Sequence, residues 1–207
     1  DDKLTAMSHR VVINRSRYED YSEDMVLVAR VIYNCPNVRT IYQNVVTDLQ
    51  TPVPMRAPGV VSHMFALECG LDELSYAVGI DPLELRLVNY AEKDPETGKP
   101  FSSKALRECY RLGAAKFGWK DRKPEPRSMR DGDLLVGWGV ATGIWPAMQR
   151  KSGAHITLKA DGTARVTSAT TDIGPGTYTT MTIIAAEFLG LEADKVRFEL
   201  GDSSYPK

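Results

Sequence analysis

Two hydrophobic spacings divide the chain. Over residues 61–78, Met64, Leu67, Leu71, Leu74 and Val78 recur every three or four positions, which predicts a helix with all five on one face. Gly79 follows as its C-cap. Asp81 and Pro82 open a second helix running to Tyr90, the carboxylate as N-cap and the proline in the first turn. Residues 102–118 have the same amphipathic period, with a serine cap at the start and Gly118 as the stop. Towards the C-terminal end the period changes to two. The run His155-Ile-Thr-Leu-Lys159 and the run 163–170 flank Ala160-Asp-Gly162, the signature of a hairpin. A helix over 177–189 and a strand over 195–200 then complete a β-β-α-β unit.

The rest is less regular. Residues 8–22 are polar, crowded with Arg10, Arg15, Arg17, Glu19 and Asp20, and Met25 opens an apolar run to Tyr33. Acidic residues near its start favour a helix over 18–31. After Cys35-Pro-Asn37, residues 38–47 are β-branched and aromatic and predict a strand. Residues 49–59 hold Pro52, Pro54 and Pro58, which excludes helix and inner strand and leaves a fixed loop. The segment 92–100 reads as an exposed linker, Trp119 as a core plug, and 134–145 as a glycine-bearing strand. The stretch 120–133, dense in charge and proline, is the best internal boundary, so a first part over 1–124 and a second over 133–207 are expected. The fold class is α+β, mixed helices and β-hairpins.

Composition narrows the partners. The chain has 207 residues and a formal net charge of -1, with its basic residues dispersed, which argues against nucleic acid. No run approaches the roughly 18 apolar residues that a membrane span needs, and no secretory signal is visible. The expected compartment is the cytoplasm, with the periplasm as alternative. Both ends read as cuts, and an internal piece of something longer is expected. Cys35, Cys69 and Cys109 make neither a disulfide framework nor a metal or iron–sulfur set, and each is expected to be a small buried apolar residue. His63 has no second ligand at metal-binding spacing, so direct metal ligation is not expected.

Two stretches carry candidate chemistry. Thr171-Asp-Ile-Gly-Pro-Gly-Thr-Tyr-Thr179 lies between a strand and a helix, an order that aims free backbone N–H groups and a positive helix end at whatever sits above the turn. An anionic, phosphate-bearing cofactor is the natural guest, and a plain strand-to-helix connection is the other reading. Arg56 sits in the proline-braced loop, either held rigidly at a ligand or as an ordinary surface arginine.

Several blocks together resemble one family. Met55-Arg-Ala-Pro-Gly59 leading into Phe65-Ala-Leu-Glu68, Asp72-Glu-Leu74 and Gly79-Ile-Asp-Pro-Leu-Glu-Leu-Arg-Leu-Val-Asn89 is similar to the molybdenum-binding large subunit of the xanthine oxidase and aldehyde oxidoreductase family. The Asp161-Gly162 hairpin, the 171–179 turn, Ala185-Ala-Glu187, Leu189-Gly190 and Gly201-Asp202 resemble the same subunit further along.

The resemblance implies a molybdopterin cofactor, as the cytosine dinucleotide in bacterial members, with two [2Fe-2S] clusters and often FAD on partner subunits. The implied reaction is hydroxylation of an aldehyde or N-heterocycle, a small-molecule substrate, with oxygen from water and a glutamate as base. By matching, Met55, Arg56 and Ala57 form the loop against the molybdenum, with Arg56 as the catalytic residue. Ile173, Gly174, Pro175, Gly176 and Thr177 form the cofactor-binding turn.

Pro175 departs from the glutamine many members carry between the glycines, so its side chain offers the pterin no amide. Pro58 stands where xanthine-hydroxylating relatives have an aromatic residue, which favours aldehyde-type substrates. The family's upstream glycine-rich loop and its catalytic glutamate segment have no match, so the chain alone is expected to be inactive and to need the remaining part of the large subunit. A folded scaffold that has lost its chemistry is the alternative from another class. A Rossmann-type phosphate site is disfavoured, since a hairpin rather than a βαβ unit precedes the turn.

Overall fold

A computed structural model describes residues 2–23, 26–145 and 150–207. The fold is α+β, in two compact units, Asp1–Pro146 and Ala147–Lys207.

The first unit opens with β1 (Met7–Arg15), which pairs in parallel with β2 (Val38–Val46), Met7 opposite Val38 and Arg15 opposite Val46. Reading 8–22 as merely polar overlooks β1. Its inward residues His9 and Val11 are buried while Ser8, Arg10 and Val12 face out, so only half of the strand carries a signal. The helix expected over 18–31 shrinks to α1 (Val28–Val31), and Asp24 and Met25 lie outside the described residues. The reason is local: the fully buried Ser16 hydroxyl accepts the backbone N–H groups of Tyr18 and Glu19, each at 3.2 Å, and bonds Thr51 Oγ1 at 2.6 Å. That side-chain turn replaces helical bonding where a helix would start.

The long helix α2 (Val60–Val78) buries Met64, Leu67 and Leu71 against Val28, Ile32, Tyr33 and Leu85. Val78, expected on the same face, is exposed at the helix end, and the buried stripe stops a turn earlier at Ser75, whose hydroxyl donates to the Asp72 carbonyl at 2.6 Å. Gly79, at φ 73°, ends the helix as expected. In α3 (Pro82–Val88), Asp81 caps as expected, Oδ1 accepting Leu83 N–H at 2.8 Å and Glu84 N–H at 3.3 Å. The half-buried Trp119 donates its indole N–H to the same carboxylate at 3.2 Å.

The next helix, α4 (Leu106–Phe117), has no side-chain cap and starts later than the serine signal suggests. Just before it, the Lys104 ammonium donates to the Ala91 carbonyl at 2.6 Å and lies over the Tyr90 and Phe101 rings, tethering the lead-in away from the helix. The strand expected over 134–145 is reduced to β4 (Leu134–Leu135), paired with β3 (Arg130–Asp131). Of the cysteines, Cys35 is buried as expected, but Cys69 and Cys109 are exposed, on the outward sides of α2 and α4.

In the second unit, β5 (His155–Leu158) pairs antiparallel with β6 (Ala164–Thr167), which pairs in parallel with β7 (Val196–Glu199). The expected hairpin is present: Gly162 takes φ 81°, its N–H bonds the Lys159 carbonyl at 3.0 Å, and Asp161 Oδ1 accepts the Thr163 N–H at 2.9 Å. Between β6 and β7 runs α5 (Thr177–Leu189), whose Ala186 packs on Ala164, Val166, Val196 and Phe198.

Candidate functional site

Where β6 leaves the sheet, the strand-to-helix turn is pinned on one side. Ala169 N–H bonds the Pro206 carbonyl at 2.7 Å and Gly201 N–H bonds the Thr170 carbonyl at 2.9 Å. Asp172 Oδ1 then accepts the Gly174 N–H at 2.7 Å, closing an Asx turn. Gly174 has φ 106° and Gly176 φ 84°, conformations that side-chain-bearing residues rarely adopt.

Gly176 is the N-cap of α5, and no side chain caps this end. Its carbonyl accepts the Thr180 N–H at 3.0 Å, so the N–H groups of Thr177, Tyr178 and Thr179 precede the first intrahelical bond. They sit at the positive end of a 13-residue helix. A Cβ added to Gly176 would meet nothing within 4 Å. The glycine is required by the backbone there, and the space above it is open.

Ile173 is 77% exposed, and Pro175, also exposed, contributes no N–H. The turn therefore offers backbone donors and no proton-transfer group beyond Asp172, which is engaged with Gly174. Such an arrangement of donors suits an anion. Close by in sequence, the Arg165 guanidinium and the Tyr205 hydroxyl bond Glu199 at 2.6 and 3.0 Å and hold its carboxyl down to about 2. That cluster ties β6, β7 and the segment beyond into one frame.

The Arg56 loop lies in the first unit, at the N-terminus of α2. Met55 is 79% exposed, Arg56 is exposed, and Ala57 is half-buried against the core of this unit. Ala57 takes φ 54°, a left-handed conformation that costs a non-glycine residue roughly 1–2 kcal/mol. Its carbonyl accepts the Val60 N–H at 3.0 Å, and the Gly59 carbonyl accepts that of His63 at 3.3 Å. Among the described residues the Arg56 guanidinium makes neither an ion pair nor a hydrogen bond. The structure thus brings Met55, Arg56 and Ala57 together in one loop and residues 173–177 together in another, each on its own unit.

Sequence reasoning overlooked the polar cluster beneath α2. Arg86 is fully buried: Nε donates to Glu68 Oε2 at 2.7 Å, Nη1 to the Pro82 carbonyl at 2.9 Å and Nη2 to the Glu68 carbonyl at 3.1 Å. Burial alone would lower its pKa, but Glu68, Tyr33 and Asp72 together outweigh that and hold it above the usual arginine value. Glu68 also accepts the Tyr33 hydroxyl at 2.7 Å and the Thr142 backbone N–H at 3.0 Å. Tyr110 bonds the Thr142 hydroxyl from the other side. Burial, reinforced by the Glu68 charge, pushes the Tyr33 phenol up. This cluster clamps the glycine-bearing segment 134–145 onto α2. Glu68 and Arg86 stood in the family-like blocks, but only their facing each other reveals the role.

His63, 5% exposed, packs edge to face on His9 with ring centroids 5.3 Å apart, and burial lowers its pKa to about 4. Among the described residues, no group of three His, Cys, Asp or Glu could hold a metal ion. No described helix is long and apolar enough to cross a membrane.

Comparison with known proteins gives these segments a context. Residues 1–90 and 112–206 match two family models, each described as a molybdopterin cofactor-binding domain. The chain is 40% identical over 213 residues to the aldehyde oxidoreductase molybdenum-binding subunit PaoC of Escherichia coli K12, covering 99% of this chain and 28% of that protein. It is 32% identical over 209 residues to the putative xanthine dehydrogenase molybdenum-binding subunit XdhA of the same organism, covering 95% of this chain and again 28% of the relative. The aldehyde oxidoreductase of Desulfovibrio desulfuricans has the same fold over 100% of this chain and 24% of its own, with a TM-score of 0.76 at 22% identity. The chain therefore spans roughly a quarter of the length of these relatives.

Proposed function

Because the chain belongs to the xanthine oxidase and aldehyde oxidoreductase family of molybdopterin-binding subunits, we propose that it forms part of the catalytic subunit of a molybdenum hydroxylase. The substrate class is aldehydes or N-heterocycles, with water as the oxygen source. Iron–sulfur and FAD groups belong to partner subunits in this reading, and the cofactor is the cytosine dinucleotide form of molybdopterin. The rest of the subunit completes the catalytic machinery.

The observation that carries the proposal is the uncapped N-terminus of α5 behind Gly174 and Gly176, within the stretch matched as a molybdopterin cofactor-binding domain. A dinucleotide pterin carries phosphates, and three backbone N–H groups at a helix start, with nothing in the way of a close approach, suit an oxyanion. When bound, the cofactor supplies the two-electron redox chemistry. On this chain, Gly176 and the N–H groups from Thr177 onward would bind it through the backbone, while Gly174, its own N–H held by Asp172, would set the turn that presents them. Ile173 and Pro175 would shield the contact from water.

Arg56, its guanidinium unpaired among the described residues, would place positive charge at the reacting centre, on a loop stiffened by three prolines and the left-handed Ala57. This assigns the Arg56 loop to a first part, 1–124, and the turn to a second, 133–207. The testing experiment is molybdenum and pterin analysis of the full-length subunit purified with its partners. Stoichiometric molybdenum and a pterin nucleotide are expected, and a folded subunit without either contradicts the proposal.

A further inference from the structure

Among the described residues β1 is hydrogen-bonded to a strand only on its β2 side, and the pair is parallel. Purely parallel sheets occur buried, with neighbours on both sides, and two strands alone are marginal in water. A groove of about 340 Å³ runs beside β1. Met7, Ser8, His9 and Arg10 are consecutive, yet all four line it, so it follows the edge of the strand rather than one face.

The opposite wall is α2, where Ala66 and Gly70 leave room and Leu74 supplies apolar surface. A Cβ on Gly70 would meet nothing within 4 Å. The Arg10 guanidinium is held by Gln43 Oε1, at 3.0 and 2.7 Å, and keeps its positive charge, while the rest of the lining is apolar or uncharged. What remains is a strand edge facing a small-residue helix wall.

A second feature marks the same place as incomplete. His9, in the groove wall, rests on His63, and neither ring nitrogen of His63 has a hydrogen-bond partner among the described residues. Buried polar atoms are rarely left so in a finished core.

We infer that β1 takes a third strand in this groove: an extended segment, apolar at alternate positions, from the part of the same subunit outside these 207 residues. The inference rests on the reading of the chain as part of a longer subunit. That occupant is favoured because the chain covers 28% of the length of relatives such as PaoC, which leaves ample tethered polypeptide, and tethering makes pairing intramolecular. Recognition would come from main-chain bonds along β1, with alternate apolar side chains laid on Ala66, Gly70 and Leu74.

The test is photocrosslinking in the full-length subunit with p-benzoylphenylalanine at Gly70, and separately at Ala66. Both are expected to capture a peptide of the same polypeptide from outside these 207 residues. In residue-resolved hydrogen exchange, the β1 amides not bonded to β2 should be protected at least 100-fold. Capture of a second copy, of another subunit, or of a peptide within these residues overturns the inference, as do fast-exchanging alternate amides without capture. Should those outcomes appear in a subunit that carries molybdenum, the inference falls and the proposed function stands. A gene encoding no further polypeptide removes both.

Discussion

Arg86 Nε lies 2.7 Å from Glu68 Oε2, with the arginine fully buried and the glutamate 5% exposed at its side chain. Glu68 is thereby the hub joining α2, α3 and the segment that bears Thr142. Removing Glu68 leaves the buried guanidinium with only the partly exposed Asp72 carboxylate, 2.9 Å from Nη1, as counter-charge, and breaking a buried pair costs up to about 3–5 kcal/mol. Glu68→Ala should therefore lower the urea midpoint sharply and open 134–145 to proteolysis. Replacing Glu68 and Arg86 together with apolar residues of similar size should recover much of the loss. A Glu68→Ala midpoint within error of the parent would contradict this arrangement.

The buried His63 gives stability a pH dependence. Its folded pKa is lowered from 6.5 to about 4, so between those values the unfolded chain binds the proton more readily. Stability is then fully present above about 6.5, falls as the pH drops, and levels off below about 4. At about 1.4 kcal/mol for each pH unit between the folded and unfolded values, the loss amounts to a few kcal/mol. His63→Leu should flatten this part of the profile, measured by urea titration at stepped pH. An unchanged slope would assign the dependence to other groups.

Ala57 offers a cleaner probe of the loop. Ala57→Gly relieves the left-handed strain and should cost little, or stabilise by up to about 1 kcal/mol, although it frees the unfolded chain. Ala57→Val should destabilise, because branching at Cβ disfavours φ 54° further. Equal midpoints for the two variants would show that the loop conformation differs in solution.

These features differ in how far the sequence discloses them. The Asp161-Gly162 hairpin, the Asp81 cap and the span of α5 are read directly, since each depends on residues adjacent in the chain. Strand β1 escapes because its order comes from pairing with β2 and from burying His9 and Val11, which no local signal announces. Segment 134–145 reads as a strand through its apolar residues, yet is held by Glu68 through Thr142, a partner distant in the sequence. In the candidate site, the glycines of the 171–179 turn foretell its left-handed geometry, whereas Ala57 conceals the same geometry behind an ordinary residue.

For Arg56, a guanidinium unpaired among the described residues and carried on a stiff loop predicts a role in turnover rather than in folding. Arg56→Ala in the full-length enzyme should keep its molybdenum and its unfolding midpoint while kcat falls at least 100-fold. Parental kcat would return Arg56 to the status of a surface arginine.

The central claim is that the backbone at Gly176 holds the cofactor. Its Cβ position is open while its φ is 84°, so Gly176→Leu places bulk over the α5 N-terminus at a local strain of roughly 1–2 kcal/mol, which the rest of the fold can absorb. The decisive measurement is the molybdenum and pterin content of that full-length variant, with circular dichroism as the check on folding. A folded subunit nearly devoid of both is expected, and a folded variant with parental molybdenum and pterin contradicts the claim.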